Sequence, residues 1–143
     1  MRIEQQVANV AQCKKLKELG IKQNGFFSWL YNITTKQHEI SSMTAEGIEL
    51  IAKSDSRGES FGWRERIEKG IYSAFTVAEL GVMNRADVRT YHYDGFWSAY
   101  IPFEGVMKYF GNVFKTEAEL RAAILIQEIE NKIVMVEEIN SKL

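Results

Sequence analysis

Two clusters in this sequence combine aromatic rings with arginines. Arg89, Tyr91, Tyr93, Phe96 and Tyr100 form one; Trp63, Arg64 and Arg66 form the other. A ring beside a guanidinium can stack a base and pair a phosphate, or anchor a protein interface. With three Trp, six Tyr and eight Phe the chain is rich in rings. Most such rings pack cores and sheet faces, and these two clusters are the candidate binding residues that stand apart.

The inventory for catalysis and metal binding is thin. His38 and His92 are the only histidines, and neither has a carboxylate at a recurring ligand spacing. Each reads as a surface or cross-strand residue. The single cysteine, Cys13, excludes an intramolecular disulfide and a multi-cysteine zinc site; it reads as a small apolar residue on a helix. There is no glycine loop to cradle a phosphate and no nucleophile elbow. Glu117, Glu119, Glu128, Glu130, Glu137 and Glu138 fall where solvated helix faces or a tail would put them. No catalytic residue, metal ligand or cofactor is therefore assigned, and a non-enzyme is expected.

The whole chain sets the frame for these residues. Its 143 residues suit one domain, 1–143, with 45% hydrophobic and 26% charged residues. A net charge of −1 leaves no global field to hold a polyanion, so nucleic-acid binding is disfavoured. No apolar run reaches membrane-span length and no basic-then-apolar leader opens the chain; a cytoplasmic protein without membrane contact is expected.

Capping signals place the helices. Thr76 and Thr116 are each followed three residues later by glutamate, the pattern of a capping box. Phe75 and Leu80 stand where a hydrophobic staple would clamp the first of these helices, predicted over Val77 to about Met83. Asn9 with Gln12 starts a helix from about Val10 to Leu19, and Gly20 with Ile21 ends it as a Schellman motif. Lys14, Lys15 and Lys17 then suit the macrodipole. The last helix runs from Glu117 to about Lys132 with an apolar stripe of Ala118, Ala122, Leu125, Ile126, Ile129 and Ile133.

Strands are predicted at Phe26 to Ile33 and around His38 to Ser41, with an extended stretch from Ile71 to Phe75. Thr44 to Lys53 reads as a helix with Ile48 and Ile51 inward, and Ser54 to Gly62 as a loop. Asp94-Gly95 is a strong hairpin signal within Val88 to Phe103. It pairs Tyr93 with Phe96, His92 with Trp97 and Tyr91 with Ser98. Val88, Thr90, Trp97, Ala99 and Ile101 then share the core face, while Arg89, Tyr91, Tyr93, Phe96, Ser98 and Tyr100 share the other. Pro102 implies an edge at the end of the second strand. The tail from Ile133 to Ile139 is either a final strand or a helix.

Two segments imitate a helix-turn-helix, Leu16 to Leu30 and Thr76 to Tyr91, the second offering Arg85 and Arg89 to a groove. The motif requires a second helix. Phe26-Phe27-Ser28-Trp29 in the first segment and the approach to the Asp-Gly turn in the second both favour strands instead.

The run Ala11 to Gln23, then Phe27-Ser28-Trp29, then Tyr72 to Gly81 resembles a family of small uncharacterised phage and prophage (mobile-element) proteins. The likeness continues through the hairpin, Thr116 to Ala122 and Glu130 to Ile133, but not over Ile40 to Glu68 or after Val134. It implies a mobile-element setting in bacteria, cytoplasmic action and an α+β domain, and supplies no activity or site residues.

The fold expected is α+β, a mainly antiparallel sheet packed against the N- and C-terminal helices. The function expected is that of a non-enzymatic phage or mobile-element accessory protein that binds a protein partner, a host factor being one candidate. The alternatives are a DNA-binding regulator with a helix-turn-helix-like segment, or a binder of a small nucleotide-like ligand through an aromatic and arginine site. A homo-oligomer is compatible with either class. Exposed rings on the hairpin need cover. If the chain's own segment Thr44 to Trp63 covered them, the face would be core and not a site.

Overall fold

The computed structural model describes residues 2–54, 62–103 and 106–143, and within 102–113 it describes the backbone alone. A single-turn 3-10 helix, Ile3–Gln5, precedes α1 (Val10–Glu18). Then come β1 (Ser28–Asn32), β2 (Gln37–Ser41), α2 (Ala45–Ser54), α3 (Trp63–Lys69) and β3 (Tyr72–Ser73). The second half holds α4 (Val77–Met83), β4 (Arg89–Tyr93), β5 (Phe96–Phe103), β6 (Val106–Phe114), α5 (Glu117–Glu130) and α6 (Val136–Ser141). The architecture is α+β, but its strands form two antiparallel sheets, ordered β2-β1-β3 and β4-β5-β6, where one was expected.

Local chemistry sets the helix ends. The Asn9 side chain accepts from the Gln12 N–H at 2.9 Å, and Gln12 returns the bond to the Asn9 N–H at 3.3 Å. Gly20 takes φ +97°, and the N–H groups of Gly20 and Ile21 bond the carbonyls of Lys17 and Leu16 at 3.0 Å each. This is the two-bond Schellman ending, and it requires the left-handed backbone that glycine adopts without strain. Thr76 and Glu79 form the full capping box of α4, while Phe75 and Leu80 are fully buried beside it. At α5 only half of the expected box exists: Thr116 accepts from the Glu119 N–H at 3.2 Å.

The structure departs from expectation at Ile51, in two unforeseen elements and at Pro102. Ile51 is 42% exposed and not inward, since α2 turns Ala45, Ile48 and Ala52 to the interior. Helix α3 was unforeseen because Gly62, at its N-cap, has no side chain to signal the start. Strand β6 was also unforeseen; Lys108, Gly111 and Asn112 interrupt its apolar pattern. Strand β5 runs through Pro102 to Phe103 in the middle of its sheet. Its pairing with β4 stops at Tyr100, however, so the β4 side is open where a residue without an N–H is tolerated. The tail resolves as a helix, α6. Of the predicted loop from Ser54 to Gly62, Ser54 ends α2 and Gly62 is the N-cap of α3, and residues 55–61 lie outside the described residues.

Helix α5 holds the two sheets to one body. Ala118, Ala122, Leu125 and Ile129 face a cluster with Cys13 and Leu16 of α1, Trp29 of β1, Tyr72 of β3 and Leu80 and Met83 of α4. Leu120 and Ile124 face the opposite way, into a cluster with Val88, Ala99 and Ile101 of the second sheet. A third cluster, Ala45, Ile48 and Ile71 with Leu30 and Trp63 packed on it, fixes α2 and α3 to the first sheet. The predicted apolar stripe thus covers one of the two buried faces of α5 and omits Leu120 and Ile124.

Ile124→Ala and Leu125→Ala each remove a fully buried branched side chain and should each cost about 2–5 kcal/mol. They should act on different halves. Amide exchange should speed first in β4 and β5 for Ile124→Ala, and first in α1 and β1 for Leu125→Ala. Identical exchange patterns would show that α5 does not separate two clusters.

Candidate functional site: the outer face of the hairpin

Asp94 and Gly95 both take positive φ, +53° and +80°, as a two-residue type I′ turn requires. That turn sets the register Tyr93↔Phe96, His92↔Trp97, Tyr91↔Ser98 and Arg89↔Tyr100, as the sequence predicts. On the inner face Val88, Ala99 and Ile101 are buried and Trp97 is half-buried against Leu120 and Ile124. On the outer face Tyr93 is 72% exposed, Tyr100 45% and Phe96 36%. Arg89 is exposed beside them, while Tyr91 is half-buried and stacks on Tyr100 with ring centroids 5.6 Å apart. Ser98, in the middle of that face, is fully buried. The rings at the hairpin tip therefore lie in solvent and are not core.

The second predicted cluster does not join the first. Trp63, Arg64 and Arg66 lie on α3, which packs on the first sheet, whereas the hairpin belongs to the second. Arg66 lies over the Trp63 ring, 4.9 Å from its centroid, and Trp63 packs on the Ala45–Ile48–Ile71 cluster. Arg64 is paired with Glu68 along the helix at 3.9 Å. The ring and guanidinium thus partner each other inside α3.

A polar network missed at the sequence level positions the hairpin. The Arg121 guanidinium donates to Glu117 at 3.0 Å, to the Asn84 side chain at 3.2 Å and to the Thr90 hydroxyl at 3.3 Å. Thr90 in turn donates to Glu117 at 2.9 Å, and the Asn84 amide donates to the Arg121 carbonyl at 3.2 Å. These bonds tie α5 to the end of α4 and to β4. Beside them Arg85 donates to Glu128 at 2.5 Å and pairs with Asp87 at 3.9 Å. Glu117 and Glu128 were expected on solvated faces. Glu128 is instead buried and Glu117 half-buried, because α5 is packed on two sides and has little solvated surface.

Burial pushes the Glu128 carboxyl up from its usual range, against the lowering influence of the Arg85 guanidinium. Its second oxygen, Oε1, is buried without a hydrogen bond, which adds to the cost of ionising it. Here desolvation outweighs the ion pair.

Other expected roles can be located. Both helix-turn-helix imitations lack a second helix: α1 is followed by β1, and α4 by β4. Arg85, offered above to a DNA groove, is occupied by Glu128. Lys17 donates to Glu49 and to the Ile71 carbonyl and lies over the Tyr72 ring, so it bridges elements as well as meeting the dipole. His38 is a cross-strand partner of Tyr31 and contacts the Gly70 carbonyl through Nε2 at 3.0 Å. Cys13 is fully buried, and burial pushes its thiol up to about 12, far from a reactive thiolate.

Among the described residues no group of three His, Cys, Asp or Glu is placed to hold a metal ion. No described helix is long and apolar enough to cross a membrane. Compared with known proteins, the chain matches no family model, no curated sequence and no solved structure.

The raised Glu128 carboxyl has a signed consequence. The folded protein holds this proton more tightly than the unfolded chain does. Its contribution is therefore intact below the usual carboxylate range and declines as pH rises through and above it. Glu128→Gln cannot titrate, so its melting temperature relative to the unchanged protein should climb as pH goes from about 4 to about 7. A constant difference across that range would place the carboxyl in its ordinary range.

Proposed function

We propose that the protein is a non-enzymatic accessory protein that acts by binding a protein partner through the outer face of the β4–β5 hairpin. The phage or mobile-element setting of this reading rests on the sequence resemblance, and the binding face rests on the exposure of Tyr93. Tyr93, 72% exposed, is paired across the hairpin with Phe96, and Tyr100 is exposed on the same face opposite Arg89. Scattered single apolar residues on a surface need no explanation; several exposed rings sharing one face with an arginine have the composition of an interface anchor. The inner face is locked by Leu120 and Ile124 and by the Thr90–Arg121 bond, so these rings are held in place before any partner arrives. Such preorganisation lowers the entropic cost of association.

A photo-crosslinking amino acid in place of Tyr93 should capture a defined protein from bacterial lysate. The Tyr91→Ser/Tyr93→Ser double variant should keep its circular dichroism spectrum and lose affinity for that protein by about thirtyfold or more, as truncation of anchor residues implies. Undiminished affinity in the folded double variant would remove the hairpin as the binding face. Capture of a second copy of this chain alone would replace an accessory partner with self-association.

A further inference from the structure

A cleft of about 390 Å³ opens beside the inner face of the hairpin. His92 and Trp97 line it from the hairpin, and Lys115, Thr116 and Glu117 from the start of α5; Gln5 and Val77 complete the lining. We propose that this cleft binds a small planar aromatic anion, a flat ring carrying a phosphate or a carboxylate.

Three observations carry the assignment. The first is the ring wall. His92 and Trp97 form a cross-strand pair with ring centroids 5.2 Å apart and planes inclined at 45°. Trp97 is held by packing against the Val88–Ala99–Ile101 cluster, so an incoming ring meets a fixed aromatic surface. At this end of the sheet β5 advances from Trp97 to Ala99 while β6 runs from Phe114 to Phe110. An irregularity of this kind bends a strand and re-aims its side chains.

The second observation is the charge balance. Glu117 is the acid in the lining, and its Oε1 already accepts from Arg121 and Thr90. Lys115 is exposed and has no hydrogen-bond or ion-pair partner among the described residues. The uncompensated charge at the cleft is therefore positive. The N-terminal dipole of the fourteen-residue α5 adds to it at the same lip.

The third is an unused donor. Trp97 is half-buried, and its indole N–H makes no hydrogen bond among the described residues, in contrast to Trp29, whose Nε1–H donates to the Ala8 carbonyl at 3.1 Å. Solvent reaches this donor, and a ligand oxygen would take the water's place on it. The cleft's volume suits a fused ring system with a single charged group.

The test is nitrogen-edited NMR of the full chain, titrated separately with adenosine monophosphate and with naphthoate. The Trp97 indole signal and the Lys115 and Thr116 amides should shift saturably with at least one of them, and which one responds distinguishes phosphate from carboxylate. Lys115→Ala should weaken that binding roughly two- to fivefold, the scale of one exposed charge contact, and the neutral counterpart, adenosine or naphthalenemethanol, should be weaker to a similar degree. Lys14→Ala, an exposed lysine of α1, should leave the affinity unchanged. Absence of a saturable shift with both anions would overturn the proposal. So would binding that neither Lys115→Ala nor removal of the anionic group weakens. Neither result bears on the outer face of the hairpin, which Tyr91 and Tyr93 report independently.

Discussion

The fold depends on the burial of α5 on two sides. A surface helix buries one stripe and solvates the rest. Here Ala118, Ala122, Leu125 and Ile129 occupy one cluster, while Leu120 and Ile124 occupy another. The first sheet with α1, and the second sheet with its hairpin, meet through this one element. Its two-sided burial also explains the chemistry of its charged residues. Glu117, Arg121 and Glu128 lie between packed layers and must satisfy one another or their neighbours, because a buried charge left alone is costly.

Short polar contacts then fix how the remaining pieces attach. The N-terminal stretch is held by Val7 in an isolated bridge to Thr76, by the Ala8 N–H bonding the Phe75 carbonyl at 2.9 Å, and by the Trp29 indole on the Ala8 carbonyl. Glu79 serves two elements at once. One carboxylate oxygen closes the α4 capping box, and the other accepts the Phe26 N–H at 3.1 Å at the entry to β1. At the C-terminus Asn140 receives the Lys22 N–H and donates to the Gly20 carbonyl, both at 2.9 Å, fastening α6 to the glycine turn that ends α1. Apart from the capping box itself, these contacts join residues distant in sequence, and they satisfy backbone groups that helix ends and strand entries would otherwise leave open.

The exposure of the hairpin's outer face follows from this arrangement. Its inner face is committed to α5 through apolar packing and through Thr90, so its alternating side chains must present Arg89, Tyr93, Phe96 and Tyr100 outward. A period-two strand cannot bury both sets while one side is open. The same constraint brings His92 and Trp97 to the start of α5, where the cleft forms. The two proposed surfaces are thus the two faces of one ribbon.

Features decided by neighbours in the chain were legible in the sequence. The Asn9–Gln12 and Thr76–Glu79 caps, the Gly20 ending and the Asp94-Gly95 register all arise from interactions within a few residues, and the residue types that make them are few. Helix α3 and strand β6 were not legible, since Gly62 offers no capping oxygen and polar residues interrupt the pattern of β6. Nor could the chain alone show that Glu128 and Glu117 are enclosed. A glutamate on a helix looks the same whether its face meets water or a sheet. Only the tertiary structure, by laying α4 and the second sheet against α5, turned those acids into a network with Arg85 and Arg121. It also placed Trp63 and Arg66 in partnership on α3, away from the hairpin. The alternation of the strand determined which rings would share a face, and the packing of α5 decided which face would remain in solvent.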